Sequence, residues 1–216
     1  VSGHPMNAWA GLAEAVSSHA EDQLMELEDR TQFRLCGIVG NIVKKLSRKD
    51  NRPWAAFTLA TRTGSVVLNM YAEAYETHAK NLEPEKPVAV LGTVLRSADG
   101  VRLNVKECHP LGVYLPSVVK KVTWVLRPDK AENDTFIRAL REELEGAKGD
   151  VETDVGFYFG NGDQQGDIAI SEVASALGWK LTAPAYQALR RHPAVVGSVV
   201  DTRPIEIKET RRWAKR

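Results

Sequence analysis

Gln32-Phe33-Arg34-Leu35-Cys36-Gly37-Ile38-Val39-Gly40-Asn41-Ile42-Val43-Lys44-Lys45-Leu46 decides how the rest of the chain is read. Phe33, Leu35, Gly37 and Val39 alternate with Arg34, Cys36, Ile38 and Gly40. A period of two is the mark of a strand, because successive side chains leave a strand on opposite faces. The basic segment Ser47–Arg52 follows as a turn, and a second strand runs Trp54–Ala60 with Ala55, Phe57 and Leu59 on one face. Arg62-Thr63-Gly64 is a tight turn into a third strand, with Val66, Leu68 and Met70 inward and Val67, Asn69 and Tyr71 opposite. Ala72–Leu82 reads as a short helix. Pro87–Arg96 is a fourth strand interrupted by Gly92, Asp99-Gly100 marks a hairpin turn, and Val101–Glu107 is a fifth strand. Its inward set is Val101, Leu103 and Val105; its outward set is Arg102, Asn104 and Lys106.

Five short strands with a helix between the third and fourth are the element order of an OB-fold, a five-stranded Greek-key barrel whose second and third strands form the binding face. Glycines inside the first and fourth strands suit it, since tightly coiled barrel strands need bends and bulges. Upstream, Ala8, Leu12, Ala15 and Val16 recur at helical spacing and Leu24 with Leu27 begin a second short turn, so Asn7 to about Glu28 reads as a helical lead-in. Downstream the pattern changes. Val122–Leu126 is a strand, Asn133 or Asp134 caps a helix to about Ala147, and Val151–Phe159 and Asp167–Ile170 are strands around the turn Asn161–Gly166. Pro184–Arg191 is a helix, and Val195–Val200 and Ile205–Lys208 close as strands. The order β-α-β-β-α-β predicts a ferredoxin-like α/β sandwich. The expected organisation is a lead-in over 1–30, the barrel over 31–116, and an α/β domain over 117–216. The chain opens at Val1 in the middle of a motif and reads as a piece of something longer.

The chain has 216 residues, 43% hydrophobic and 26% charged, which is globular composition and excludes wholesale disorder. No apolar run reaches the ~18 residues of a membrane helix and no signal-peptide pattern opens the chain, so a cytoplasmic protein is expected. Two cysteines, Cys36 and Cys108, exclude a disulfide scaffold or a Cys-rich zinc module. Basic and acidic residues nearly balance at 29 and 28, but unevenly along the chain. Residues 1–29 hold six acids and no Lys or Arg, whereas 30–52 hold Arg30, Arg34, Lys44, Lys45, Arg48, Lys49 and Arg52 against Asp50 alone. A second basic run, with Lys208, Arg211, Arg212, Lys215 and Arg216, closes the chain.

Clustered cations attract phosphate, because each neutralised phosphate releases condensed counterions. Single strands are held in OB grooves by cations tracking the backbone and by rings stacked under bases. Lys44, Lys45, Arg48, Lys49 and Arg52 lie in the first-to-second-strand region. Trp54 and Tyr71 face outward on the two strands of the binding face, and Arg102 and Lys106 face outward on the fifth. These nine residues are the candidate nucleic-acid-binding set. The competing reading packs Trp54 and Tyr71 against a neighbouring domain, since aromatic residues serve interfaces equally well.

Chemistry is poorly supported. His4, His19, His78, His109 and His192 form no H-E-x-x-H pattern, and there is no G-x-S-x-G or phosphate-loop motif. Cys108 and His109 are adjacent, so on a strand they point apart. Asn161, Asp163, Gln165, Gly166, Ile168 and Glu172 fall on a calcium-loop template, but the flanks read as strand, which makes the segment a hairpin with a polar tip. Asp150, Glu152 and Asp154 alternate onto one strand face, best read as a solvated edge. No catalytic residue, metal ligand or cofactor is expected.

Ser2-Gly3-His4-Pro5-Met6, followed by a helix and this barrel, resembles the bacterial replicative DNA polymerase III alpha subunit. Leu35-Cys36-Gly37-Ile38-Val39, Phe57-Thr58-Leu59, Thr63-Gly64-Ser65, Tyr71-Ala72-Glu73-Ala74-Tyr75, Val90-Leu91-Gly92-Thr93-Val94 and Arg102-Leu103 carry the likeness over about residues 1–112. Ala60-Thr61 and Tyr71-Ala72 depart from the family pattern, which has an acidic pair and often Phe-Pro there. The resemblance implies that the barrel binds single-stranded template DNA and that the last domain docks on the clamp-loader tau subunit and other replisome proteins. Arg211, Arg212 and Trp213 are the candidate partner-binding residues. Polymerase carboxylates would lie upstream, so no nucleotidyl transfer is expected of this chain. Two other readings stay open: an interaction scaffold in which the barrel contacts protein, and the anticodon-binding barrel of an aminoacyl-tRNA synthetase.

Overall fold

In the computed structural model, β1 (Gln32–Leu46) runs fifteen residues and serves two neighbours. Its first half pairs antiparallel with β4 (Pro87–Ser97), from Gln32↔Thr93 to Ile38↔Pro87, and its second half with β2 (Pro53–Ala60), from Ile38↔Ala60 to Leu46↔Pro53. A register shift between Val39 and Ile42 bends the strand at Gly40, as the curvature of a small barrel requires. β2 pairs antiparallel with β3 (Ser65–Met70), and β4 with β5 (Gly100–Pro110). A parallel contact of two residue pairs, Asn69↔Asn104 and Met70↔Val105, joins β3 to β5 and closes the barrel in the order β1-β2-β3-β5-β4. The expected five-stranded barrel is the observed one. The description covers residues 5–127, 130–146, 148–159, 167–171 and 178–207.

Alternation builds the core as expected. Ala55, Phe57 and Leu59 of β2, Leu68 and Met70 of β3, and Leu103 and Val105 of β5 are all buried in one cluster with Phe33, Leu35 and Val39. Each such Leu, Phe or Met contributes on the order of 1.5–3 kcal/mol by leaving water. β1 departs from alternation: Arg34, Cys36 and Ile38 on its outer face are also buried. The lead-in bonds to Arg34 and Cys36 and consists of three short pieces, a 3-10 helix Pro5–Trp9, α1 (Leu12–Val16) and a 3-10 helix Gln23–Met25; the last stands where a second short turn is expected, and the helical spacing from Ala8 to Val16 is split in two. Gly11 at φ 80° and an extended Ser17 interrupt it. The two serines there serve β1. Ser17 Oγ accepts from the Cys36 amide at 3.1 Å, Ser18 Oγ accepts from the Arg34 amide at 2.9 Å, and the Ser18 amide donates to the Arg34 carbonyl at 2.8 Å. These bonds close the stretch of β1 edge that lies before β2 begins, where open backbone groups would be costly. The Arg34 Nε donates to the Val16 carbonyl at 2.7 Å.

α2 (Ala72–His78) lies between β3 and β4, and after the barrel come α3 (Leu111–Val118), β6 (Val119–Leu126), α4 (Lys130–Gly146), β7 (Lys148–Phe159), β8 (Asp167–Ser171), α5 (Ala183–Arg190) and β9 (Val195–Thr202). Two compact units divide the chain, Val1–Tyr114 with Pro204–Arg216, and Leu115–Arg203. The second unit has the expected β-α-β-β-α-β order in a sheet β8-β7-β6-β9. Its parallel pair β6–β7 is adjacent, so α4 makes a direct crossover with an antiparallel strand added on each side, not the split arrangement of a ferredoxin-like sheet. α4 begins before Asn133 and Asp134, which lie within it, and α5 is capped by Thr182, whose side chain accepts from the Ala185 amide. Residues 203–207 carry no strand where one was expected from Ile205. Trp124 anchors this core against Phe136, Trp179 and Tyr186, and its Nε1 donates to Thr153 Oγ1 at 3.1 Å. No helix among the described residues is long and apolar enough to cross a membrane.

Gly92 marks the tightest point of the barrel wall. A Cβ there would stand 2.5 Å from the Asn104 carbonyl oxygen and 2.6 Å from Phe33 Cζ. Gly92→Ala is therefore expected to lower stability by about 1–3 kcal/mol, the range for overpacking. Gly146→Ala, which meets nothing within 4 Å, should stay within about 0.5 kcal/mol of the parent. Urea unfolding midpoints of the two variants check this, and equal midpoints would refute it.

Candidate nucleic-acid interface

The end of β1 and the start of β2 form a ribbon that carries the predicted site. Lys45 pairs with Trp54, and Val43 with Ala56. The Lys45 Nζ sits 5.2 Å from the centre of the Trp54 ring, a cation–π arrangement. The register Ala55↔Met70 carries Tyr71 next to Trp54, with ring centres 5.3 Å apart and planes at 37°. Tyr71 is also the residue before α2, where β3 has ended. Both rings are partly exposed on the outer wall. Leaning on one another, they form a single aromatic ledge with a cation at one end.

The remaining predicted residues divide. Lys44 pairs with Ala55, whose side chain is in the core, so Lys44 leaves the ribbon on the opposite side from Lys45. The turn beyond is ordered by its own backbone: the Ser47 amide donates to the Arg52 carbonyl at 2.9 Å, and the Asn51 amide to the Ser47 carbonyl at 2.9 Å. Arg48 and Lys49 are exposed on it with no side-chain partner among the described residues. Arg52 is committed elsewhere. Its Nε and Nη2 donate to the two Glu76 carboxylate oxygens of α2 at 3.1 and 2.9 Å. That fork raises the Arg52 pKa and holds the Glu76 carboxyl below its usual range, so Arg52 braces the turn on α2. Arg102 and Lys106 are exposed on β5, two residues either side of Asn104. Asn104 itself is nearly buried, although alternation placed it in the outward set with those two cations.

Elsewhere the side chains have structural employment. Burial pushes the Cys36 and Cys108 thiols up to about 12. Cys108 lies in the barrel core and His109 points away from it, with Nε2 2.8 Å from Glu107 Oε2, its ring stacked on Tyr114 and edge-on to His78. Burial, and then His109, push the His78 pKa below its ordinary value. Asp154 is not on a solvated edge: β7 lies between β8 and β6, and Asp154 is buried with Lys121 Nζ at 2.8 Å, while Asp150 and Glu152 are exposed. Among the described residues no group of three His, Cys, Asp or Glu could hold a metal. Arg211, Arg212 and Trp213 lie outside the described residues, as do His4 and, from the calcium-loop template, Asn161, Asp163, Gln165, Gly166 and Glu172; the flanking β7 and β8 pair antiparallel.

Residues 33–111 match the tRNA_anti-codon family model, described as an OB-fold nucleic acid binding domain. The barrel is an OB-fold nucleic-acid-binding domain. DNA polymerase III subunit alpha from Thermus aquaticus is 33% identical over 97 residues, covering 44% of this chain and 8% of that protein, so the match spans a small part of the relative's length. Among solved structures, mitochondrial single-stranded DNA binding protein Rim1 from S. cerevisiae is similar at 15% identity and a TM-score of 0.32, over 38% of this chain and 97% of that one. The second OB-fold domain of replication protein A from Methanococcus maripaludis is similar at 21% identity and a TM-score of 0.31, over 40% and 90%.

The OB domain has no thiol poised to react. At pH 8 neither Cys36 nor Cys108 is expected to be modified by a thiol reagent in the folded protein, and both should react once denaturant is added, because the thiolate is the reacting form. A thiol modified quickly in the native state would contradict the burial of both sulfurs.

Proposed function

We infer that this chain is a non-catalytic part of a replicative DNA polymerase III alpha subunit, with the OB domain holding single-stranded template DNA and the α/β unit docking on the clamp-loader tau subunit. The row of Lys45, Trp54 and Tyr71 carries the reading. Bases stack on exposed rings at ~1–3 kcal/mol each, and the neighbouring cations follow the phosphates. Arg48 and Lys49 on the turn, with Arg102 and Lys106 on β5, extend the positive border along the same unit. The 33% identity to the Thermus aquaticus subunit supports the assignment to that replicative system. The mechanism is retention. Holding the strand and tethering the enzyme to its assembly raises effective concentration, and so residence on DNA, with no change in chemistry. Arg211, Arg212 and Trp213 are assigned to the tether.

Fluorescence titration with oligothymidine at two salt concentrations tests the DNA half. Binding should quench tryptophan emission, and Trp54→Ala should weaken it by the ~1–3 kcal/mol of one stacked base. Lys45→Glu should weaken it and flatten the logarithmic salt slope by about 0.7, the share of one phosphate contact on a single strand. Lys44→Glu, on the other side of the ribbon, should have the smaller effect. Affinity indifferent to salt and to Lys45→Glu would exclude the reading. The matched family model's name favours one other reading, an anticodon-binding barrel; preference for folded tRNA over oligothymidine would establish it.

Co-precipitation with tau tests the other half. The parent chain should retain tau and the triple variant Arg211→Ala, Arg212→Ala, Trp213→Ala should lose it. Equal retention of tau by both would remove these residues from the tether.

A further inference from the structure

Asn69 on β3 and Asn104 on β5 face each other across the two-residue parallel contact that closes the barrel. Their neighbours Leu68, Met70, Leu103 and Val105 belong to the core, so alternation turns both amides to the outer wall. Asn104 is only 7% exposed and Asn69 is partly exposed. Neither side chain makes a hydrogen bond among the described residues. Neither Asn104 amide atom is both sealed from solvent and unpartnered, so the tip of the side chain keeps contact with water and can meet a ligand. The aromatic ledge stands beside the pair, since Tyr71 is two residues beyond Asn69 and Trp54 two residues before Ala56, the register partner of Asn69. The amides therefore sit in the wall one step along from the place where a base would stack.

We propose that Asn69 and Asn104 read the edge of a base adjacent to the one stacked on Trp54 and Tyr71, and that the base they favour is adenine; the proposal rests on the single-strand reading above. Each asparagine amide offers an N–H donor beside a carbonyl acceptor, the pair that matches the amino group and ring nitrogen of adenine. Adjacent strands lie about 4.8 Å apart, which presents two such pairs side by side. Adenine serves both at once. Its exocyclic amino group carries two protons and is flanked by an acceptor on each side, N1 and N7. Cytosine has an acceptor on one side of its amino group only. Thymine has a single N3 proton for which the two amides would compete. An adenine with its amino group directed between Asn69 and Asn104 gives each amide one donor and one acceptor.

The test measures dissociation constants of the whole chain for labelled oligo-dA and oligo-dT, with the parent, Asn69→Leu, Asn104→Leu and Trp54→Ala. The parent should favour oligo-dA. The ratio of the two constants should fall about tenfold or more in either asparagine variant, within the discrimination expected of a bidentate amide–base pair, whereas Trp54→Ala should weaken both oligonucleotides. Asn104→Leu should melt close to the parent, because the Asn104 side chain makes no hydrogen bond among the described residues; a markedly lower melting point would mean a structural role and would count against the proposal. Oligonucleotides of 7-deazaadenine, which lack the N7 acceptor, should lose part of the preference with the unaltered chain, an arm that needs no variant to fold. A ratio unmoved by both variants, with binding retained and dependent on Trp54, overturns this inference alone. Absence of binding to either oligonucleotide overturns the single-strand reading and this inference with it.

Discussion

A strand long enough to change partners sets the geometry of the first unit. β1 bonds to β4 up to Ile38, which pairs with both Pro87 and Ala60, and to β2 from there to Leu46. Every backbone N–H and C=O along it must find a partner on both sides or meet water. Before Ile38 the side not facing β4 is supplied by Ser17 and Ser18 of the lead-in, which breaks the lead-in helix and buries the outer face of β1. Beyond Gly40 the ribbon of β1 and β2 runs past the end of β4, and most of its residues emerge from the barrel. The exposure of Val43, Lys45 and Leu46 follows from that overhang. One constraint thus makes one half of β1 core and the other half surface.

The overhanging ribbon would be a loose arm without attachment, and the Arg52–Glu76 fork supplies one. An exposed ion pair of this kind contributes little to global stability. Its consequence is local, in that the Arg52 end of the turn is tied to α2. α2 follows Tyr71 directly, so the turn, the Trp54–Tyr71 ledge and α2 are positioned by one another. A cation that looks in the sequence like a phosphate ligand is here the support for those that remain free, Arg48 and Lys49.

The barrel was legible because its signals are local. Period-two alternation located all five strands, and Asp99-Gly100 located a hairpin turn in which Gly100 adopts φ 118°. In the lead-in the helical spacing of Ala8, Leu12, Ala15 and Val16 is real over a turn but does not show where the helix breaks, because the pull of the β1 edge on Ser17 and Ser18 is a tertiary effect. Composition could not separate Lys44 from Lys45, since both are lysines on a strand; only the register against Ala55 and Trp54 places them on opposite sides. Asn69 and Asn104 were visible as outward residues, but that β3 meets β5 at just those two residues depends on barrel closure. In the second unit, element order was readable and strand adjacency was not, because β-α-β-β-α-β is compatible with more than one sheet order.

Where the aromatic side chains go separates the two units by purpose. In the second unit Trp179 and Tyr186 are fully buried against Trp124, and the Trp124 indole and Tyr186 hydroxyl have hydrogen-bond partners in Thr153 and Ser198, while the Trp179 indole N–H is buried without one. Folding has already drawn the apolar free energy those rings can release. Trp54 and Tyr71 are partly in water, and neither the indole N–H nor the phenol makes a hydrogen bond among the described residues. Their remaining apolar faces gain only when something flat covers them. With Lys45 at one end of the ledge, the covering group that gains most is flat and joined to negative charge. A nucleobase on its phosphate chain meets both conditions, whereas an apolar protein surface would have to desolvate the Lys45 ammonium to reach the rings. The electrostatics of this one row thus favour nucleic acid over protein as the occupant of the barrel wall.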